Sequence, residues 1–487
     1  MALPPLLPRA RCLDLLLMPP SSAMGMGKLK QIHAQMVVGG SLRRPNALGK
    51  LIERYAAVSA PAGMDHARLA FRCHAGDADV FAWNVVIRCS APRESILLYA
   101  GHCDQKGGRG CAFVPDDRTL TYVFGACARS AALWEGMQVH AQIVKTRAPG
   151  SLDAVVLTTG VHFYGSLGDV ESARRLFEEM PKRNSPTWNA LMAGYCLKGM
   201  AAEATALFKE MLREERLEVR PTDRSMVVLL NACSQLGELA SGSSVHAYIC
   251  KAFPFEDDTF LGTGLVDMYS KCGCLSSARK AFEGTKEKNV LTWTVMIAGL
   301  AFHGRGEAAI KMLEAMLDAG ISPNAVTFTC LLSACCHAGL VDEGLLLFEM
   351  MSSRFGMAPG IQHYGCVVDL LGRVGMVGEA RSFVRNLPIP PDAVLWRTLL
   401  AACKVHGHAR LGEEIGESLL QLEQAAGESQ ERATTCEDYV ALSNMYASDG
   451  RWGDVWRLRE MMKGLGVQNR SGSSSLQINK QGHQIDR

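Results

Sequence analysis

Three stretches of sequence decide the fold: Ala-Trp-Asn-Val-Val-Ile at 82–87, Thr-Trp-Asn-Ala-Leu-Met at 187–192 and Thr-Trp-Thr-Val-Met-Ile at 292–297. Their tryptophans, at 83, 188 and 293, recur every 105 residues. Gly-Asp-Val-Glu-Ser-Ala-Arg-Arg-Leu-Phe at 168–177 returns in related form at 273–282, and Ala-Cys pairs at 126–127, 232–233 and 334–335 keep nearly the same interval. Self-similarity at a fixed period indicates stacked structural units of roughly 31 to 38 residues, three to each period.

Each unit has the pattern of two short helices. In the unit 290–324, apolar residues recur at three- and four-residue spacing over 293–301, which predicts an amphipathic first helix. His-Gly-Arg-Gly at 303–306 interrupts this pattern, and a second apolar stripe runs to Gly320 and Pro323, which end the second helix. Because one such hairpin cannot bury its apolar face alone, the sequence predicts an all-α fold, a right-handed superhelical α-solenoid of stacked hairpins.

Composition excludes several classes of protein. The chain has 487 residues, 51 basic and 49 acidic side chains and a mean hydropathy of +0.04, which is typical of a folded rather than a disordered protein. No apolar run reaches the roughly 18 residues of a membrane-spanning helix. The 17 cysteines contain no Cys-x-x-Cys pair, so they indicate buried thiols in a reducing compartment. With a net charge of +2, any nucleic-acid binding must depend on local charge, hydrogen bonds and stacking.

The N-terminal residues 1–27 have the composition of an organelle transit peptide. They contain Arg9 and Arg11 and a single acidic residue, Asp14. A secretory signal is the competing interpretation, but Asp14 interrupts the apolar stretch and no Ala-x-Ala cleavage site follows it. An unstructured start without a targeting role is the third.

The repeated units resemble the pentatricopeptide repeats of the plant PLS class, in which P, L and S motifs alternate. The stretches that carry the resemblance are Leu-Lys-Gln-Ile-His-Ala-Gln at 29–35, Leu-Leu-Asn-Ala-Cys at 229–233, Leu-Val-Asp-Met-Tyr-Ser-Lys-Cys-Gly at 265–273 and Tyr-Gly-Cys-Val-Val-Asp-Leu-Leu-Gly-Arg at 364–373. The resemblance implies a repeat array over 28–392. Its motifs are S at 45–79, P at 80–116, L at 117–153, S at 154–184, P at 185–222, L at 223–258, S at 259–289, P at 290–324, L at 325–360 and S at 361–392.

The sequence pattern changes after the array. Residues 395–403, 438–447 and 452–462 resemble the E domain that follows such repeats, which implies an E domain of two degenerate helical repeats at 393–470. Residues 471–487 resemble an E-plus extension. The segment is called degenerate because family members usually have tryptophan where this chain has Ser475.

No catalytic motif is found. None of the 13 histidines is followed two residues later by glutamate and no Cys-x-x-Cys exists, so the zinc deaminase domain of the DYW type is absent from the sequence. A phosphate-binding loop and a nucleophile elbow are also missing. The tightest ligand-like clusters, 335–337 and His406 with His408, are interpreted as helix core and helix-ending turn. We therefore predict no enzyme activity, cofactor or metal.

The family resemblance also implies how the array reads RNA, one base per motif, through the fifth and the final residue of each motif. Asn84 with Asp116 resembles a uracil-preferring pair; Thr121 with Asp153 resembles a guanine-preferring pair in an L motif; and Asn189 with Thr222 suggests a pyrimidine. The adenine-preferring pairs are Thr158 with Asn184, Thr263 with Asn289, and Thr294 with Asn324. Gly49, Val227 and Gly365 are the fifth residues of three further motifs, and none of them has a side chain that could hydrogen-bond to a base. The predicted site is 5′-U-G-A-Y-N-A-A-3′.

These residues also have structural interpretations. Asn184, Asn289 and Asn324 precede helices, where asparagine is a preferred N-cap, and one residue can cap a helix and read a base. The residue after each core tryptophan, such as Thr294, is expected to turn from the core toward the groove. The tryptophans themselves are expected in the core.

The resemblance implies a sequence-specific single-stranded RNA-binding protein that specifies C-to-U editing in an organelle, the mitochondrion or alternatively the chloroplast. The deaminase would be recruited in trans through the E domain, and no membrane is a partner. The alternatives are an intron-splicing or transcript-stability factor, and a tetratricopeptide-like scaffold that binds proteins. Asn, Thr and Asp at the base-reading positions and the alternating motif lengths argue against the scaffold.

Overall fold

The structure is a computed structural model that describes residues 25–58, 62–104, 114–146, 152–213, 219–253, 258–425 and 436–464. Nearly all of the proposed leader at 1–27 and the whole tail at 471–487 lie outside these residues. Across the described ranges the regular secondary structure is entirely helical, which confirms the all-α prediction. None of the described helices is long and apolar enough to cross a membrane.

Contacts divide the chain into two compact units, Met1–Phe253 and Pro254–Arg487. In the first unit the α-helices are α1 Met26–Val38, α2 Ala47–Ala57, α3 Ala62–Cys73, α4 Val80–Cys89, α5 Pro92–Asp104, α6 Asp117–Arg129, α7 Leu133–Thr146, α8 Ala154–Ser166, α9 Val170–Glu179, α10 Ser185–Leu197, α11 Ala201–Arg213, α12 Asp223–Leu236 and α13 Leu239–Ala252. Short 3-10 turns lie at Ser41–Arg43 and Ala75–Asp77.

In the second unit the helices are α14 Thr259–Lys271, α15 Leu275–Gly284, α16 Val290–Phe302, α17 Gly306–Asp318, α18 Ala325–Ala338, α19 Val341–Ser353, α20 Ile361–Val374, α21 Val377–Arg385, α22 Ala393–Val405, α23 Ala409–Ala425, α24 Cys436–Ser448 and α25 Trp452–Gly464. From α2 onward, each even-numbered helix is the first helix of a hairpin and the next odd-numbered helix is the second.

Hairpins stack through their first helices. In the first unit α8 packs against both α6 and α10, and in the second unit α16 packs against both α14 and α18. Helices α8 and α10 approach each other closely, since a methyl group on Gly194 would lie 2.8 Å from the Cα atom of Gly165. Two glycines opposite each other therefore let these helices touch backbone to backbone.

The repeated tryptophans lie between hairpins, as predicted. Trp83, Trp188 and Trp293 each meet a phenylalanine from the second helix of the preceding hairpin, with ring centroids 4.7 to 4.9 Å apart and ring planes 77° to 85° apart. The phenylalanines are Phe71, Phe177 and Phe282. Trp188 is fully buried and Trp293 nearly so. This edge-to-face geometry is the favourable one for aromatic pairs, so the 105-residue repeat is a repeat of core contacts.

Candidate nucleic-acid interface

The final residue of most motifs caps the first helix of the next motif. Asn184, Asn289 and Asn324 each accept a hydrogen bond on Oδ1 from the backbone N–H three residues later, at 2.9 to 3.0 Å. Asp116 and Thr222 do the same at 2.8 and 3.3 Å. The predicted N-caps are thus confirmed. Because capping uses only the amide oxygen, the Nδ2 amino group of each asparagine is not needed for it, and these three side chains are exposed.

A buried hydroxyl joins each capping asparagine to the fifth residue of its own motif. The hydroxyl of Thr327 lies 2.8 Å from that of Thr294 and donates to Asn324 Oδ1 at 3.0 Å. The same arrangement recurs twice, with Thr292 between Thr263 and Asn289 and with Thr187 between Thr158 and Asn184. The third residue of the following motif is therefore the link in all three threonine–asparagine pairs.

The fifth-position threonines are less open to the groove than the sequence suggested. The Thr294 and Thr263 side chains are only 5% and 7% exposed. Their hydroxyls lie 2.7 Å from the carbonyl oxygens of Val290 and Thr259, one helical turn back. A threonine in a helix readily bonds to the carbonyl four residues earlier, and this bond draws the hydroxyl against its own helix. In these motifs the exposed polar group belongs to the asparagine.

The two fifth-position asparagines reach their partners directly, since their side chains are longer. Asn84 Nδ2 donates to Asp116 Oδ1 at 3.0 Å, and its Oδ1 accepts a bond of 2.6 Å from the buried hydroxyl of Thr119. Asn189 bonds Thr222 at 3.2 Å in the same way, with the hydroxyl of Ser225 donating to Asn189 Oδ1 at 2.7 Å.

The hydrogen bonds also set the charge of Asp116. Burial acts to raise the pKa of this carboxyl, but the bonds from Asn84 and Thr119 outweigh burial and hold the pKa below its ordinary value. Asp116 is therefore ionised at neutral pH and offers only acceptor oxygens to a ligand.

Thr121 and Asp153 are not brought together in this way. The hydroxyl of Thr121 donates to the backbone oxygen of Asp117 at 2.8 Å, and the backbone N–H of Asp153 donates to the carboxylate of Asp117 at 3.3 Å. The third residue of the next motif is Val156, which has no hydroxyl to link the pair. The L motif at 117–153 thus lacks the network found in the P and S motifs, and its capping bond, to the N–H of Val155, is long at 3.4 Å.

A row of exposed apolar side chains, which the sequence pattern did not predict, lies beside the caps. The second residue of five motifs is 52% to 71% exposed, although it is a large apolar residue; these residues are Val155, Phe260, Leu291, Val326 and Val394. Each lies two positions after the capping residue in sequence. An apolar or aromatic side chain exposed beside a polar group is a surface on which a flat base can stack. The pattern of a large apolar residue two positions after a capping residue was the available signal.

Each unit also has a groove lined by first helices. In the first unit a groove of about 750 Å³ is lined by Thr121, Arg88, Arg129 and His162. In the second unit a groove of about 1030 Å³ has as its lining Gly365, Cys366, Asp369, Arg373 and Arg397, among others. The cations here have acidic neighbours, with Arg88 2.6 Å from Glu53 and Arg373 3.0 Å from Asp369. These surfaces suit a polar ligand without forming a strongly basic patch.

The two ligand-like clusters have the places predicted for them, whereas Cys73 and Cys250 are exposed rather than buried. Cys335 and Cys336 are buried in α18, and His406 is exposed at the end of α22. His140 accepts or donates a 2.8 Å bond with the Tyr164 hydroxyl, and burial lowers its pKa and that of His246. Within the described ranges, no three His, Cys, Asp or Glu side chains are grouped so as to hold a metal ion.

Three family models match the chain. The PPR repeat family matches residues 183–235 and 288–337, the PPR repeat matches 161–185 and 326–354, and the E motif matches 423–477.

Full-length relatives are found in Arabidopsis thaliana. One pentatricopeptide repeat-containing protein is 45% identical over 460 residues, covering 91% of this chain and 94% of the relative. A second is 35% identical over 473 residues and covers 96% and 98%. A third, named as chloroplastic/mitochondrial, is 34% identical and covers 94% of this chain and 72% of its own length.

The fold is also found among solved structures. The pentatricopeptide repeat protein PPR10, in its crystal structure in complex with an 18-nucleotide psaJ RNA element, superposes with a TM-score of 0.64 at 16% identity. The alignment covers 90% of this chain and 64% of that chain. The likeness establishes a shared helical-repeat fold.

Proposed function

This chain belongs to the pentatricopeptide repeat family, and on that premise we propose that it binds single-stranded RNA sequence-specifically and marks sites of C-to-U editing in organellar RNA. The single observation that carries the RNA-binding part is the hydrogen-bond network that joins the fifth and final residues of a motif. In each of the five motifs that have this network, it fixes one polar side chain at the motif's end while leaving part of that side chain unused by the protein.

We propose that the bases read by the motifs 259–289 and 290–324 lie between the exposed apolar second residues of consecutive motifs, with their Watson–Crick edges toward the capping residues. For the motif 290–324, Leu291 and Val326 would provide the two faces and Asn324 Nδ2 would provide a hydrogen-bond donor. The rigid cap lowers the entropy lost on binding, since the reading side chain is already held by its oxygen.

The same geometry supports three of the predicted adenine positions, because Asn184, Asn289 and Asn324 are held alike. Asn84 with Asp116 and Asn189 with Thr222 form the direct version of the pair. Thr121 with Asp153 has no such support, so the guanine in 5′-U-G-A-Y-N-A-A-3′ is the position at which we propose the weakest discrimination.

We propose that the array occupies 28–392 and the E domain 393–470, and that the E domain recruits a deaminase carried by another protein, with no reaction catalysed by this chain. The two hairpins α22–α23 and α24–α25 support a separate region after the array, and the E motif match at 423–477 overlaps it. Glu413 and Arg451 join the two hairpins by paired hydrogen bonds of 2.8 and 2.9 Å, which fixes the hairpins relative to each other. We propose the mitochondrion as the location and the chloroplast as the alternative; relatives are named for both organelles.

The binding test uses Asn324→Asp, which keeps the capping oxygen and replaces the Nδ2 donor by an acceptor. We expect the variant to unfold at the same temperature as the wild type but to prefer G over A at the last position of the site, by about tenfold in Kd. Asn324→Ala is the matched control, which loses both cap and donor. An unchanged preference in Asn324→Asp would refute base reading by this residue.

The functional test is organelle RNA sequencing in a loss-of-function plant, scored for C-to-U conversion and for intron retention. We expect conversion to be lost at one or a few cytidines that follow a sequence like the predicted site. Intact editing with a retained intron or a shortened transcript would favour a splicing or stability factor. No RNA change would favour the protein scaffold.

A further inference from the structure

The last described helix, α25, exposes two tryptophans on one face. Trp452 and Trp456 are one helical turn apart and are 68% and 69% exposed. Val455 and Leu458 on the opposite face are buried, so α25 is held to its hairpin without the two indole rings. Two neighbouring tryptophans in water are a costly arrangement unless they bind something.

The residues equivalent to Trp452 in other hairpins show what lies against this face of a second helix. Trp452 follows Gly450, a glycine of positive φ, by two residues, and Val170, Ala201 and Val377 follow such glycines in the same way. Those three residues are only 1% to 3% exposed. Gly306 has the same position, and a methyl group there would meet Ala338 and Leu340 of the next hairpin. In these four hairpins the first residue of the second helix is buried, and in α17 it lies against the following hairpin, whereas Leu239 of α13, at the same position, is 39% exposed.

The position of Trp456 faces the following hairpin as well. Its equivalent in α9, Arg174, pairs with Glu210 of α11 at 3.5 Å, and its equivalent in α21, Arg381, pairs with Glu414 of α23. Its equivalent in α23, Glu413, pairs with Arg451 of the next hairpin. In α25 an aromatic ring replaces the charged group, so the surface expected opposite it is apolar.

Resting on the proposed function of the E domain, we propose that Trp452 and Trp456 form a docking face for a helical hairpin of a second protein, which stacks on α25 as the next hairpin of an array would. The rim of this face carries Arg459 and Lys463 beside one exposed carboxylate of α25, Glu460, while Arg457 pairs with Asp454 at 3.5 Å. The partner hairpin should therefore be apolar at its centre and acidic at its edge.

The chain's own residues 465–487 do not fit this description. They contain five Leu, Ile or Val residues and no Phe, Tyr or Trp, which is too little apolar surface for two helix faces. A second copy would join end to end in a head-to-tail contact, which grows open filaments rather than a closed complex. Both are retained as outcomes of the test.

The first experiment places a photo-crosslinking benzoyl-phenylalanine at 452 or 456 in the full chain, which is then added to an organelle extract. The control places it at Trp134, an exposed tryptophan of α7 that is 74% accessible. We expect crosslinks from 452 and 456, and not from 134, to a helical hairpin with an acidic rim in one other protein. Crosslinks to residues 465–487, to a second copy or to RNA, or no crosslink beyond the control, would each overturn the proposal.

The second experiment titrates the recombinant crosslinked protein against the wild type and variants of the full chain. Trp452→Ser with Trp456→Ser should raise Kd about thirtyfold, while Trp134→Ser should leave it unchanged. Thermal unfolding of the double variant should match the wild type, because neither ring is buried. If Kd is unchanged in a folded double variant, the tryptophans are not the docking face.

Complemented plants separate this proposal from the proposed function. The double variant should still co-precipitate its RNA but lose conversion of the edited cytidine. Normal conversion with the double variant, when Asn289→Ala with Asn324→Ala abolishes it, would refute the docking face and leave the editing function intact. If neither variant affects conversion, the editing function itself fails.

Discussion

At the scale of single residues, the array combines two tasks in one side chain. Asn289 and Asn324 begin helices with their oxygens and keep their amino groups for a ligand. The buried hydroxyl that joins cap and fifth residue, Thr292 or Thr327, touches no ligand in this arrangement, yet it determines where the asparagine is held. Base preference should therefore depend on a residue that is entirely inaccessible to RNA.

Replacing Thr327 by valine tests this dependence. The change removes the hydroxyl that bonds Thr294 and Asn324 and leaves both with fewer partners, so we expect a loss of about 1 to 3 kcal/mol in the free energy of unfolding. We also expect weaker discrimination between A and G at the last site position, measured by Kd. The control is Thr205→Val, at neither a fifth nor a final motif position, whose hydroxyl bonds its own helix at Ala202. Equal discrimination in both variants would contradict the role of the link.

A second prediction at this scale concerns His33. Its Nδ1 lies 3.3 Å from the Tyr55 hydroxyl, and its ring centroid lies 5.5 Å from that of His74. Burial, and then the charge of His74, lower the pKa of His33 below 6.5, while Lys30 and His66 line the same pocket. Below about pH 6.5, His33 is therefore protonated more readily in the unfolded chain than in the folded one.

Stability should consequently be fully present above pH 6.5 and fall as the pH is lowered through that value. Urea unfolding at pH 7.5 and 5.5 measures this difference, and His33→Gln should reduce it. Partial burial also lowers the pKa of His140 and His246, so some pH dependence should persist in this variant. Greater stability at pH 5.5 would contradict the assignment.

At the scale of elements, the separation of α8 and α10 is constrained by two glycines that face each other. A methyl group at Gly194 would meet the backbone of Gly165, which cannot rotate away as a side chain can. We expect Gly194→Ala to cost about 1 to 3 kcal/mol, because the two hairpins must move apart.

Gly101→Ala is the control for that change. Gly101 lies inside α5 and a methyl group there has no heavy atom within 4 Å. Alanine should gain about 0.5 to 1 kcal/mol in the helix, so the two substitutions should shift the melting temperature in opposite directions. If Gly101→Ala were destabilised and Gly194→Ala were neutral, the close backbone contact between α8 and α10 would be refuted.

At the scale of the whole molecule, charge is nearly balanced and the grooves contain paired cations such as Arg88. Few phosphates should therefore be neutralised on binding. For about three phosphate contacts, the slope of log K against log salt is about −2 for single-stranded RNA, which can be measured by titration between 50 and 200 mM salt. A slope near −6 would mean that binding is electrostatic, and that the hydrogen-bond network has a minor part.

Much of this molecule could be predicted from its sequence, since repeat periodicity reports local packing. Trp188 and its relatives were placed in the core because their helical phase requires it, and Asn324 was recognised as a cap because it precedes a helix. The link through Thr327 was missed because it joins residues 33 apart, which only the stacking of hairpins brings together. Thr121 and Asp153 are not joined, because the linking position in the next motif is Val156, which has no hydroxyl.

The double use of the capping asparagines has a consequence for how such a chain changes over generations. Asparagine and aspartate begin a helix equally well, and their codons differ by one nucleotide, so a single transition at Asn289 or Asn324 alters the preferred base while the fold keeps its stability. A mutation to most other residues would lose the cap. The base preference of this array can thus change one motif at a time through mutants that still fold. The choice of residue at each such position is limited to those that can cap a helix.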